Sequence, residues 1–190
     1  MNSKVVIVGA QRTPIGSFQG QFSTVPADEL GAAAIVGALD QAGVKAESID
    51  DVLMGCVLPA GIGQAPARMA SRKAGIPTSA GAVTINKACG SAMKTIQIAH
   101  DQILAGSSEI VVAGGMENMT MAPYILPKAR GGYRMGHGQV LDHMFFDGLQ
   151  NPDDGLMMGV FGERCAELFN FTRDQQDAFS IASIERALAA

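Results

Sequence analysis

Short apolar runs alternate with helical patterns over the first 116 residues of the chain. Four of these runs have the length of buried strands: 5–10, 52–58, 81–86 and 110–116. The segments between them place apolar side chains at helical spacing: 26–43, 65–74 and 90–104. Apolar strands that alternate with helices indicate a mostly parallel sheet covered by helices on both faces. The pattern therefore predicts an α/β fold.

The pattern changes after Met116. Residues 120–154 show little periodicity and contain prolines, glycines and scattered charges. An irregular segment of this length is functional, covers a site or takes part in assembly. Helical periodicity returns over 156–169, and Thr172–Gln175 forms a capping box that opens a last helix. That helix has no stop signal before Ala190, so we expect the chain to be cut there.

Composition and charge exclude some classes of partner. Only 17% of residues are charged and 47% are hydrophobic, which indicates that something outside this segment covers part of its apolar surface. A formal charge of −4, without a visible basic face, argues against nucleic acid as a partner. No apolar stretch approaches the length of a membrane span, and the run 5–10 is too short for the core of a signal peptide.

The cysteines indicate a reducing compartment. The chain has three, and no pair has the close spacing of a disulfide framework. Cys56 and Cys165 are expected to be buried small hydrophobic residues. We therefore expect a soluble cytoplasmic protein without a membrane partner.

Cys89 is the strongest candidate for chemistry. It lies between the predicted strand 81–86 and the predicted helix 90–104. A thiol before a helix N-terminus is near the positive end of the helix dipole and near free N–H groups, and both favour the thiolate. Sites in parallel sheets lie beyond the carboxyl ends of the strands, where Cys89 and Met116–Asn118 are expected. Cys89 is therefore a candidate nucleophile, and a purely structural role stays open at this point.

A nucleophilic cysteine needs a base, and none of the three histidines is an evident one. His100 lies about 16 Å along the helix that follows Cys89, at roughly 1.5 Å per residue. His137 and His143 lie in the irregular segment and are expected to be polar loop residues. The spacing of cysteines and histidines gives no zinc site, so no metal is expected.

The sequence around Cys89 resembles the active-site signature of the thiolases: Ile85-Asn86-x-x-Cys89-Gly90-Ser91-Ala92-Met93-x-Thr95-Ile96. Further segments resemble the same family in order and spacing: 12–18, 61–68, 114–119, 158–159 and 173–179. The likeness extends over essentially all 190 residues. It implies a thiolase-like fold, with a mostly parallel mixed sheet and an inserted loop domain.

The resemblance implies acyl transfer through a cysteine thioester. Thiolases condense two acetyl-CoA molecules to acetoacetyl-CoA and CoA, or cleave a 3-ketoacyl-CoA with CoA in the reverse direction. Cys89 would attack the acyl-CoA thioester, carry the acyl group and donate its backbone N–H to the oxyanion. Coenzyme A thioesters would be the substrates, and no permanently bound cofactor is implied.

The resemblance also bears on substrate length and assembly. Met157, Met158 and Gly159 are the implied substrate-binding residues of the loop domain. Acetoacetyl-specific thiolases often carry a histidine where this chain has Met157, and methionine also occurs there in broader 3-ketoacyl-CoA thiolases of β-oxidation. Acetoacetyl-CoA chemistry is favoured, and the broader specificity stays open. Residues 124–138 resemble the loop through which family dimers pair, so we expect a homodimer or a homotetramer.

The chain also departs from the family. It lacks the activating histidine of a Gly-His-Pro motif, the second cysteine of a Cys-x-Gly-Gly-Gly motif and an Asn-Glu-Ala-Phe segment. Family members are about twice as long, beyond the usual size of one domain. The resemblance therefore implies an N-terminal half, with an α/β domain over 1–118 that carries Cys89 and part of a covering or tetramerisation loop domain over 119–190. We expect this segment alone to be inactive.

Three other functions stay open. A ketoacyl synthase of the same fold is disfavoured by the segment 114–117. A non-catalytic thiolase-like subunit would act as a scaffold or partner, although the intact signature around Cys89 argues against it. Cys89 could instead sense redox state, because a cysteine that favours the thiolate can also oxidise.

Overall fold

The chain folds into two compact units. The computed structural model describes residues 4–190. The first unit extends to Gly148, and the second spans Leu149–Ala190.

A parallel sheet of three strands forms the centre of the first unit. The strands are β1 (Asp51–Gly55), β2 (Gly81–Ile85) and β3 (Val111–Gly115), in the order β2-β1-β3. In the register of the sheet, Gly55 of β1 pairs with Ile85 of β2 and with Gly115 of β3. The three strands therefore end level with one another, and the loops that follow them lie side by side.

Helices cover both faces of this sheet. The helices of the first unit are α1 (Ala27–Ala42), α2 (Pro66–Lys73) and α3 (Ser91–Leu104). On one face, Gly31 of α1 lies against Met54, and a backbone N–H of α2 donates to Thr84 Oγ1 at 2.9 Å. Neighbouring residues of a strand point to opposite faces of the sheet, so Gly55 lies on the face opposite to Met54. The helix α3 lies against Gly55 on that face. The predicted α/β fold, with helices on both faces of a parallel sheet, is confirmed.

The core lies mainly between the sheet, α1 and α2. Its buried hydrophobic residues include Ile35, Ile49, Val52, Met54, Ala67, Ala70 and Met116. Asp28 of α1 is 2% exposed within this layer, and its Oδ2 lies 2.9 Å from Lys73 Nζ of α2. A buried carboxylate needs such a partner, so this ion pair fixes α1 against α2.

The expected strand at 5–10 is wrong, because these residues form no strand. Val6, Ile7 and Val8 are 61–78% exposed. The segment is fixed to α1 instead: the Ala10 N–H donates to Gln41 Oε1 at 2.7 Å. A cavity of about 630 Å³ is lined by this segment, α1, α3 and β3. The β-branched run has the propensity of a strand, but a strand also needs a neighbouring backbone at hydrogen-bonding distance.

Residues 119–148 contain only short elements. They are a 3₁₀ helix at Met119–Met121 and two antiparallel two-residue strands, β4 (Tyr124–Ile125) and β5 (Leu141–Asp142). A π-helix at Met144–Leu149 follows. The weak periodicity of the sequence thus corresponds to a loop closed by one short strand pair.

The second unit consists mainly of two helices, α4 (Met158–Leu168) and α5 (Arg173–Ala189). The predicted capping box is present, since Thr172 Oγ1 accepts from the Gln175 N–H at 3.2 Å and Gln175 Oε1 accepts from the Thr172 N–H at 2.9 Å. No residue of either helix is buried. Cys165 on α4 is therefore exposed, and the expectation that it is buried is wrong.

None of the helices within residues 4–190 combines the length and apolarity needed for a transmembrane span.

Candidate active site

Cys89 lies in the loop that joins β2 to α3, at the carboxyl ends of the strands. Its side chain is exposed. Gly90 occupies the position before the first residue of α3. The structure thus places Cys89 between the strand and the helix, as the pattern predicts, and its chemical role stays a prediction.

The backbone before Cys89 is held in an unusual conformation. Ala88 has φ +46°, in the left-handed region that residues with a Cβ adopt at a cost of about 1–2 kcal/mol. Ser91 Oγ accepts from the Lys87 N–H at 2.8 Å and donates to the Ala88 carbonyl at 2.6 Å. Asn86 Oδ1 accepts from the Ala88 N–H at 2.9 Å. These three bonds, each worth about 1 kcal/mol, can offset the cost of the conformation.

Two glycines of the sheet allow α3 to approach the strand ends closely. A Cβ on Gly55 would lie 2.8 Å from the backbone N of Ala92, and one on Gly115 would lie 2.9 Å from Ala92 Cβ. The fully buried Thr95 adds a hydroxyl within 3.0 Å of the Gly114 carbonyl. The first turn of α3, and with it the Cys89 loop, is therefore seated directly on β1 and β3.

Sequence reasoning missed the role of these glycines. In the sequence, Gly114 and Gly115 contribute only to the family likeness of the segment 114–119. A glycine within an apolar strand is itself a signal that another backbone approaches closely. Gly55 carries this signal, because it lies within the apolar run 52–58.

Two polar residues after β3 fasten neighbouring loops. Glu117 Oε2 accepts from the Val57 N–H at 2.7 Å, and Oε1 accepts from the Leu58 N–H at 3.1 Å. Asn118 Nδ2 lies 2.8 Å from the Phe22 carbonyl and 2.7 Å from the Val25 carbonyl, so it holds the loop before α1. The sequence places both residues beyond a strand end but does not predict these partners, which are about 60 and 95 residues away in the chain.

Cys56, at the end of β1, cannot compete with Cys89 as a nucleophile. It is 1% exposed, as expected from the sequence. Burial, and then the negative charge of Glu117, raises the pKa of the Cys56 thiol from 9.0 to about 12. At neutral pH Cys56 is therefore a protonated thiol, which is a poor nucleophile.

We expect Cys56 to resist alkylation in the native protein. Iodoacetamide at pH 8 should label the exposed Cys89 and Cys165, and should label Cys56 only after unfolding. The folded protein holds the Cys56 proton more tightly than the unfolded chain does, so the protonated thiol contributes to the free energy of unfolding. This contribution is complete below pH 9 and is lost as the pH rises towards about 12. Peptide mass spectrometry after labelling checks the first statement, and urea unfolding at pH 8 and pH 10 checks the second. Rapid native labelling of Cys56 would contradict both.

The three histidines do not supply an evident base for Cys89. His100 is 53% exposed on α3 and pairs with Asp101 at 3.2 Å. His137 is exposed, as expected for a polar loop residue. His143 departs from that expectation because it is 5% exposed, with Nδ1 2.6 Å from Asp147 Oδ2. Asp147 lies four residues further along the chain, so the His143–Asp147 pair is formed at the start of the π-helix.

The predicted substrate-binding residues lie at the start of α4. Met157 precedes the helix, and Met158 and Gly159 are its first two residues. Met158 is 42% exposed. Their role in substrate binding stays a prediction. Within residues 4–190, no three His, Cys, Asp or Glu side chains are grouped so that they could hold a metal ion.

The family to which this fold and this cysteine loop belong is shown by comparison with known proteins. Residues 5–190 match the family described as "Thiolase, N-terminal domain". The chain belongs to this family, and the resemblance drawn from the sequence is confirmed.

Individual relatives make the family membership more specific. The chain is 49% identical over 186 residues to an acetyl-CoA acetyltransferase of Pseudomonas aeruginosa. The matched region covers 98% of this chain and 47% of that protein. Identity, coverage and length of the match are the same for an acetyl-CoA acetyltransferase of Cupriavidus necator. A probable acetyl-CoA acyltransferase of Staphylococcus aureus is 43% identical over 188 residues, which cover 99% of this chain and 48% of that protein. The chain spans about half the length of the curated relatives it matches.

Proposed function

We propose that this chain is the nucleophile-bearing half of an acyltransferase that moves acetyl groups between coenzyme A thioesters. The observation that carries the proposal is the exposed Cys89 within the thiolase signature, in a loop held at the carboxyl ends of the strands. The names of the relatives, acetyl-CoA acetyltransferase and probable acetyl-CoA acyltransferase, favour this chemistry.

In the first step, the Cys89 thiolate attacks the carbonyl carbon of acetyl-CoA. The tetrahedral oxyanion accepts the backbone N–H of Cys89, and such a donor is worth most where charge develops in the transition state. Collapse of this intermediate breaks the bond to coenzyme A, whose thiolate leaves and takes up a proton. The product is an acetyl thioester on Cys89.

In the second step, a second acetyl-CoA loses a proton from its α-carbon. The resulting carbanion attacks the acetyl thioester, the Cys89 thiolate leaves, and acetoacetyl-CoA is formed. The reverse sequence is thiolysis of acetoacetyl-CoA by coenzyme A. The proton transfers are assigned to a histidine and a second cysteine of the half that this chain does not include, so we expect residues 1–190 alone to be inactive.

The acyl chain length is a finer part of the proposal. We assign Met157, Met158 and Gly159 to substrate binding. We favour acetoacetyl-CoA as the substrate of thiolysis, with a broader 3-ketoacyl-CoA specificity as the alternative. Comparing thiolysis rates for acetoacetyl-CoA and longer 3-ketoacyl-CoA substrates separates the two.

The organisation of the whole protein is proposed on the same basis. Residues 1–118 form the α/β domain, and residues 119–190 form part of a loop domain. The whole protein is a homodimer or a homotetramer, and in a tetramer residues 124–138 pair the dimers. The exposure of Tyr124 and Met135, at 67% and 98%, supports such a role. The free state of Cys56, Cys89 and Cys165 fits a reducing compartment such as the cytoplasm.

Peptide mass spectrometry of the full-length protein after incubation with acetyl-CoA tests the proposal. We expect one acetyl group on the peptide that contains Cys89. An unmodified Cys89 would contradict the proposal, and oxidised forms alone would favour a redox-sensing cysteine. Residues 1–190 alone should give no thiolysis of acetoacetyl-CoA, and measurable thiolysis by a pure preparation would contradict that part.

A further inference from the structure

We propose that Glu117 is a positioning residue for the Cys89 loop, and that it acts through the Val57–Leu58 peptide group and the side chain of Asn86. This inference rests on the proposed function of Cys89. The hydrogen bonds of Glu117 within the described residues go to Cys56, Val57 and Leu58 and not to Cys89, so its effect on the reaction is indirect.

The carboxylate of Glu117 binds backbone rather than a positive charge. Oε1 and Oε2 accept the consecutive N–H groups of Leu58 and Val57, and the Cys56 thiol lies 3.5 Å from Oε1. Among residues 4–190, Glu117 forms no ion pair. Hydrogen bonds from N–H groups to a charged acceptor are stronger than neutral ones, so the carboxylate fixes the loop that follows β1.

The peptide group between Val57 and Leu58 connects Glu117 to the Cys89 loop by hydrogen bonds. The Leu58 N–H of this peptide group donates to Glu117 Oε1. The Val57 carbonyl oxygen accepts from Asn86 Nδ2 at 3.4 Å. The same amide of Asn86 accepts the Ala88 N–H through Oδ1 at 2.9 Å. Glu117 is thus linked to Ala88, the residue before Cys89, through one peptide group and one side chain.

All the dipoles in this chain of hydrogen bonds point in the same direction. The negative carboxylate polarises the peptide, which makes the Val57 carbonyl a better acceptor for the Asn86 N–H. That bond in turn makes Asn86 Oδ1 a better acceptor for the Ala88 N–H, because successive hydrogen bonds strengthen one another. The conformation that benefits is the left-handed one at Ala88, with φ +46°. The negative charge of Glu117 therefore stabilises the backbone conformation of the loop that carries the Cys89 N–H and thiol.

Asp50 provides a matched control at the opposite end of the sheet. Its Oδ2 accepts the consecutive N–H groups of Glu109 and Ile110, at 2.7 and 2.9 Å, just before β3. A carboxylate there holds two backbone N–H groups in the way that Glu117 does, but at the amino ends of the strands. The two carboxylates therefore serve the same kind of loop fastening, and only that of Glu117 is linked to the Cys89 loop.

The experiment compares Glu117→Gln, Asn86→Ala and Asp50→Asn in the intact protein. We expect Glu117→Gln and Asn86→Ala each to lower the kcat of acetyl transfer about tenfold, while the KM for acetyl-CoA changes less than about twofold. The double variant should lose little more than either single variant, because both residues belong to one network. Asp50→Asn should lower Tm and leave kcat within about twofold.

Several results would overturn the inference. A wild-type kcat in Glu117→Gln would do so, as would an equal loss of kcat in Asp50→Asn or fully additive losses in the double variant. If Glu117→Gln does not fold, Asn86→Ala decides, because Asn86 is exposed and outside the core.

Hydrogen exchange separates failure of this inference from failure of the proposed function. If wild-type protein forms no acetyl-Cys89, the proposed function is wrong, and amide exchange over residues 86–91 still tests the link. Faster exchange there in Glu117→Gln than in Asp50→Asn supports positioning by Glu117. Equal exchange in the two variants overturns it.

Discussion

In the full-length protein, replacement of Cys89 by serine is expected to remove the acetyl-enzyme and to lower acyl transfer by roughly 10³-fold or more. A hydroxyl ionises far less readily than a thiol, and an oxygen ester is a less reactive acyl donor than a thioester. The fold should not change, because the loop is held by Asn86 and Ser91 rather than by the side chain of Cys89. Intact-protein mass spectrometry and thiolysis of acetoacetyl-CoA measure the two effects.

Cys165→Ser is the matched control for this experiment. Cys165 is the other exposed thiol of the chain, so it reports on labelling that reflects exposure alone. We expect Cys165→Ser to acetylate and turn over like the wild-type protein. An acetyl group on Cys165 in the Cys89→Ser variant, or retained activity of that variant, would move the nucleophile away from Cys89.

Gly55→Ala is expected to lower both the stability of the fold and the activity. The new Cβ would lie 2.8 Å from the backbone N of Ala92 and 2.8 Å from the Ser91 carbonyl carbon. Backbone atoms cannot rotate away as a flexible side chain can, so α3 must shift from the sheet. Overpacking of this kind costs about 2–3 kcal/mol, or a fall in Tm of roughly 5–10 °C. Since Ser91 also holds the Cys89 loop, acetylation of Cys89 should slow in parallel.

Gly162→Ala is the control for the added methyl group. A Cβ at Gly162 of α4 meets no heavy atom within 4 Å, so Tm should not fall and acetylation should not slow. Thermal unfolding and the rate of acetyl-Cys89 formation are measured side by side for both variants. A Gly55→Ala protein with wild-type Tm would show that α3 is not seated tightly on β1.

The central part of the fold could be predicted from the sequence because its signals are local. The apolar runs at 52–58, 81–86 and 110–116 have strand length, are bounded by turn residues and alternate with helical patterns. The position of Cys89 between β2 and α3 follows from the same signals. The run 5–10 has an equally strong local signal and yet forms no strand, because pairing depends on a partner that the local sequence does not describe.

The contacts that support the site could not be predicted in this way. Glu117 binds N–H groups about 60 residues away, and no periodicity in the sequence links those two positions. The sequence predicts that His143 is a polar loop residue because it lies in an irregular segment, but the side chain is buried and its Nδ1 pairs with Asp147 of the π-helix. Cys165 shows the opposite error, since an apolar helical pattern does not say whether anything covers the helix.

The unpaired segment at 5–10 has a consequence for the solubility of the chain. Val5–Val6–Ile7–Val8 is an uncharged β-branched run that is largely exposed and makes no ladder of hydrogen bonds. Such a run is a template for strand addition between molecules, which is how exposed edges cause aggregation. We therefore expect this run to make concentrated solutions of the chain prone to self-association.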